Sequence, residues 1–229
     1  VNDKLLVFGP GFADPNLVID QLAKKFGEGF DRIVLSYPER GTRQTIDATC
    51  EGLYRPLAIL RKSYKFVAFI GHSMGGLVGR RLMDMHYPNK LFDAYVSIAT
   101  PHNGTGLALL APGSLLERLS PSARDMRPGS LFLNHLTENR AYLFDEGYPA
   151  YTPAMTLAAG FDELVWPRSS TRIEGVDNHV VIPWTNHITV ALSDRSFGEI
   201  YSWLKFEVLN ESPTKEGEPG TKQRMGRSK

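Results

Sequence analysis

Phe66-Val67-Ala68-Phe69-Ile70-Gly71-His72-Ser73-Met74-Gly75-Gly76-Leu77-Val78 is the stretch that decides the fold. Its opening run, Phe66 to Ile70, is too short for a buried helix and suits a parallel strand covered on both faces. Beyond the glycines, Leu77, Val78, Leu82 and Met85 recur at helical spacing until Pro88 closes the segment. The pattern reads strand, sharp turn, helix, with Ser73 at the apex. An apex residue of this kind sits in a strained backbone, so Gly71 and Gly75, two before and two after it, have to be small. The hydroxyl is then left in the open. The Met74 N–H and the positive end of the following helix converge where an oxyanion would form. The competing reading is a glycine-rich turn whose serine merely caps the helix.

The stretch resembles the nucleophile elbow of the α/β-hydrolase superfamily, and Gly-His-Ser-Met-Gly-Gly-Leu-Val is particularly similar to its lipases and esterases. Thr100-Pro101-His102-Asn103-Gly104 also looks like a lipase motif just beyond the strand that follows the elbow. Arg124 to Leu133 resembles a segment that lipases carry in the same place. The resemblance implies an α/β fold: a mostly parallel central sheet, helices on both faces and a small helical cap insertion. It also implies a serine hydrolase that needs no metal or organic cofactor. In lipases the first strand usually runs into His-Gly-x, whose last residue donates the second oxyanion N–H. Aligning Pro10-Gly11-Phe12 on that pattern gives Phe12 the role beside Met74. The alternative register, on Phe8-Gly9, would assign it to Pro10, which has no N–H. Pro10 itself stands where many relatives have histidine.

With 229 residues, 42% of them hydrophobic, the chain has the material for one substantial core. The expectation is one domain over residues 1–209, with the insertion at about 105–153 and a disordered polar tail over 210–229. A formal net charge of +1 disfavours nucleic acid as a partner. Cys50 is the only cysteine, which excludes an intrachain disulfide. No stretch is long and apolar enough for a transmembrane segment. Val1 leads straight into an apolar strand, so the expectation is a cytoplasmic protein or one whose leader is missing. Oligomeric state has no signature in the sequence.

Leu5 to Phe8 and Ile33 to Leu35 read as strands, as do Ala94 to Ala99, Ala154 to Ala159 and His179 to Ile182. Helical patterns cover Asp14 to Phe26, Thr45 to Tyr64 with Pro56 as a place for a kink, and a closing helix through Ile200, Trp203, Leu204 and Val208. Strands alternating with helices put functional loops at the carboxyl ends of the sheet, where Ser73, Asp162 and His187 all fall. Their order, Ser then Asp then His, is that of an α/β-hydrolase. Among six histidines, His187 alone follows the last core strand and precedes an apolar segment and a final helix, as the family's catalytic histidine does. Gly160-Phe161-Asp162-Glu163-Leu164-Val165 resembles the family's acid segment. Glu163 and Asp177 compete with Asp162, which the turn releases at the strand's end. Within the insertion, Leu115, Leu116 and Phe132 are the residues expected to line an acyl pocket, or else to pack the insertion onto the domain. The expected partner is a small-molecule acyl ester or lipid. Thioesters, amides and acyl transfer use the same three side chains, and a non-catalytic binding domain is a further alternative.

Overall fold

The computed structural model describes residues 2–14, 16–27, 29–41, 43–105 and 120–211. Strands β1 (Lys4–Gly9), β2 (Asp31–Val34), β3 (Phe66–His72), β4 (Ala94–Ile98), β5 (Ala154–Ala159) and β6 (His179–Ile182) form one sheet. Their order is β2-β1-β3-β4-β5-β6, and every pairing is parallel. The apolar runs explain the order of burial. β3, β4 and β5 are buried along their whole length, whereas the edge strands β2 and β6 are mixed.

Successive side chains point to opposite faces of a strand, so each strand feeds two cores. Leu5, Val7, Val67, Phe69 and Tyr95 pack on one face with helices α2 (Ile46–Arg61) and α3 (Met74–His86). Leu6, Phe8, Ala68, Ile70, Val96 and Ile98 pack on the other, against α1 (Leu17–Lys25) and the C-terminal helices. The sheet is therefore covered on both sides, as the sequence pattern predicts. Among the described residues between β4 and β5 lie three short helices, α4 (Pro121–Asp125), α5 (Leu131–Glu138) and α6 (Arg140–Phe144). Ser130 opens α5 by accepting the Leu133 N–H on its hydroxyl at 3.1 Å. Among the described residues two helices follow β6, α7 (Thr189–Leu192) and α8 (Asp194–Ser202), and a π-helical turn over Trp203–Val208 continues the second.

Differences from the sequence reading include two in the helices. The first helix starts at Leu17, after Asn16 at φ 70°, and not at Asp14. α2 runs unbroken through Pro56. Pro56 and Gly52, whose carbonyl loses its N–H partner there, are both exposed, so water can take that partner's place. Leu115, Leu116 and residues 212–229 of the polar tail lie outside the described residues. Among the described residues no helix is long and apolar enough to cross a membrane.

Candidate active site

Ser73 joins β3 to α3 with φ 54° and ψ −125°. A non-glycine residue in that region costs on the order of 1–3 kcal/mol. The turn is held by close packing of backbone on backbone. A Cβ at Gly71 would lie 2.5 Å from the Gly76 nitrogen, and one at Gly75 would collide with the Gly9 carbonyl. The Ser73 N–H donates to the Ile98 carbonyl at 2.8 Å, which ties the apex to the end of β4. The Ser73 side chain makes no capping hydrogen bond to α3, so the reading of a serine that merely caps the helix fails.

The hydroxyl instead meets a histidine. Ser73 Oγ lies 3.0 Å from His187 Nε2, and His187 Nδ1 lies 3.0 Å from both oxygens of Asp162. The imidazole and the carboxylate side chains are 4% and 1% exposed. Burial pushes the Asp162 carboxyl up, but the His187 ring and the Val165 and Leu164 N–H groups together outweigh it. The net effect holds the acid below its ordinary range. Its Oδ1 accepts those two N–H groups at 2.8 and 2.9 Å, which also fixes the carboxylate's orientation. Glu163 touches His187 differently, accepting its backbone N–H at 3.2 Å. Asp177 lies elsewhere, on the wall of a separate cavity. Asn186 Oδ1 accepts the Ile188 and Thr189 N–H groups and so anchors the loop that carries His187.

His72 has a role that sequence reasoning missed. Its Nε2 donates to the His187 carbonyl at 2.9 Å, and the two ring centroids are 5.0 Å apart. A carbonyl can only accept, so the proton must sit on Nε2, leaving Nδ1 without a partner. Burial lowers His72 to about 4, which keeps it neutral. Gly11 crosses directly over the elbow: a Cβ there would lie 3.2 Å from His72 Nδ1 and 3.3 Å from Ser73 Cβ. Phe12 follows, half-buried against the core cluster that contains Met74, Met126 and Phe132. Phe132 is 8% exposed, so little of its ring is open to solvent.

The other histidines have partners away from Ser73. His102 lies 2.8 Å from Ser97 Oγ, His135 2.8 Å from Asp84, His179 2.7 Å from Thr156 Oγ1, and the His86 ring sits near Tyr54. Among the described residues no group of three or more His, Cys, Asp or Glu side chains converges for a metal ion.

Many solved structures are similar in fold, among them the following three. A mature lipase from Bacillus licheniformis superposes with a TM-score of 0.63 at 16% identity, covering 90% of this chain and 91% of its own. Est1E from Butyrivibrio proteoclasticus, with ferulic acid bound, gives 0.61 at 16% identity, covering 91% and 89%. A phospholipase from Legionella pneumophila gives 0.55 at 16% identity; 74% of this chain is covered, and the match spans only 44% of the phospholipase. No curated protein sequence matches the chain. The alpha/beta hydrolase family model matches residues 6–204, which takes in every strand but the first two residues of β1 and every helix as far as Leu204. By that match and by its sheet, the chain belongs to the alpha/beta hydrolase family.

Proposed function

We propose that the protein is a serine hydrolase that cleaves carboxylic esters through an acyl-enzyme, with Ser73 as nucleophile, His187 as base and Asp162 as acid. The observation that carries this reading is the chain of contacts from Ser73 Oγ through His187 to Asp162, with 3.0 Å at each step, on a strained turn. His187 Nε2 takes the hydroxyl proton as Ser73 Oγ attacks the ester carbonyl, then returns it to the departing alcohol. Water enters, gives its proton to the same nitrogen and releases the acid. Asp162 keeps the proton of the neutral imidazole on Nδ1 and stabilises the imidazolium that forms. The N–H groups of Phe12 and Met74 are assigned to the oxyanion, each donor being worth on the order of 3 kcal/mol. The position of Gly11 over Ser73 favours that assignment. For the acyl chain we assign the apolar surface around Phe12, with Phe132 of the cluster it packs against and Leu115 and Leu116 from the insertion. The lipase among the structural relatives agrees with ester chemistry.

The test is a panel of short-, medium- and long-chain acyl esters, with a fluorophosphonate as covalent probe. Ser73→Ala and His187→Ala are expected to lose about 10⁴-fold or more in rate while keeping the fold. Asp162→Asn should lose about as much, because it disturbs the tautomer, and Glu163→Gln far less. The probe should mark Ser73 by mass spectrometry. A label on another serine, or full activity in Ser73→Ala, would end the proposal.

A further inference from the structure

Arg80 lies in the middle of α3, about two turns beyond Ser73, and is only 2% exposed. Its Nη2 donates to the Leu136 carbonyl at 2.8 Å, its Nη1 lies 3.2 Å from His102 Nδ1, and the guanidinium sits over the Phe144 ring. Its Nε–H has no hydrogen-bond partner. Burial and the Arg80 charge keep His102 neutral, so the imidazole offers a lone pair and no counter-charge. Among the described residues no carboxylate stands within ion-pair distance of Arg80. Asp84, the nearest acid to influence it, is already held by Arg81 and His135. Burial brings the guanidinium down to about 10, which still leaves it charged at neutral pH. A buried charge without a counter-charge is costly, and such groups are normally paired.

Arg80 forms part of the wall of a 480 Å³ cavity that Ser73, His187 and Asp162 do not touch. Asn103, Thr137, Arg140, Arg172 and the segment 173–177 complete that wall. Arg140 is neutralised by Glu174 at 2.6 Å, whereas Arg172 has no carboxylate at ion-pair distance among the described residues. That leaves Arg80 and Arg172 against Asp177, an excess of one positive charge. Ile173 and Val176 add an apolar side to the same wall.

The geometry points to a second ligand site: this cavity binds an organic monocarboxylate, its carboxylate on Arg80 and Arg172 and its short apolar part against Ile173 and Val176. One negative charge matches the excess, and a planar pair of oxygens matches guanidinium N–H groups.

Sodium butyrate is the probe, read by isothermal titration and by thermal shift at constant ionic strength. Saturable binding and a rise in Tm are expected with butyrate, with no such rise from butanol, chloride or inorganic phosphate. Arg172→Gln, an exposed change that leaves the core alone, should raise the Kd about tenfold or more. Arg80→Lys should do the same where circular dichroism shows a retained fold. Butyrate held at the Ser73 site would be indifferent to Arg172. Equal affinity in Arg172→Gln, equal stabilisation by chloride or phosphate, or no binding at all would overturn the site.

Discussion

His72 and His187 share one hydrogen bond, and removing it separates holding His187 in place from the role proposed for its ring. His72→Phe keeps a ring in the space but leaves the buried His187 carbonyl without its donor, a loss of about 1–3 kcal/mol. With the loop that carries His187 free to shift, kcat of the proposed reaction should fall about ten- to a hundredfold and KM stay nearly unchanged. His72→Gln puts an amide nitrogen near the lost Nε2 and should recover most of the rate. Steady-state kinetics of the three proteins, with Tm as control, decide this; equal losses in both variants would mean that the ring only packs. Ser73, Asp162 and His187 could be singled out from sequence because each sits at a strand end, in a local pattern with its own turn chemistry. The hydrogen bond of His72 could not, since its partner lies 115 residues away and nothing near either residue announces the contact. Arg80 was hidden for a similar reason. On helical spacing it is one of two adjacent arginines, and only the packing of α5 and α6 over α3 buries it while Arg81 reaches Asp47 and Asp84.

The turn between β3 and α3 needs its glycines for space, whereas Gly52 in α2 does not. A Cβ at Gly75 would strike the Gly9 backbone, and one at Gly52 would meet nothing within 4 Å. The same substitution should therefore have opposite signs. Gly75→Ala should cost about 1–3 kcal/mol through overpacking, and it should slow labelling of Ser73 because the loop above it must move. Gly52→Ala, in the middle of an exposed helix, should add about 0.5–1 kcal/mol. Urea titration of both variants checks the pair. All six strands could be placed within two residues from apolar runs alone, because central parallel strands are apolar on both faces. The elbow strand ran two residues further, through Gly71 and His72, since the chain stays extended until the strained serine. Helix starts were harder to place. Asn16 in a left-handed conformation, and not Asp14, marks the entry to α1.

Over the whole molecule, the sheet divides the interior into two apolar faces, and the titratable groups inside determine the response to pH. His72 and His102 are buried and neutral; burial holds the first near 4 and the second well below the ordinary value. Both take up a proton in the unfolded chain near pH 6.5 but resist it when folded. Stability should therefore decline as pH falls from about 6.5 toward 4, by up to about 1.4 kcal/mol per pH unit for each histidine. Asp162 acts in a lower window. Its folded value is depressed, so its contribution is complete above the ordinary carboxylate value of 3.8 and is lost as pH falls through the folded one. Urea midpoints from pH 7 to 4.5 should show the histidine slope, reduced in His72→Gln. The sequence implied a parallel sheet but not its strand order, because equivalent apolar runs carry no label for their neighbours. That order places Asp162 and His187 beyond the ends of the adjacent strands β5 and β6, two and three strands away from β3, which leads into Ser73. Ser73 and His187 are 114 residues apart in the chain. Recovery of the proposed esterase activity during refolding would therefore count only molecules that had already closed this long loop and docked the outermost strand, and would trail every signal that reports the central strands alone.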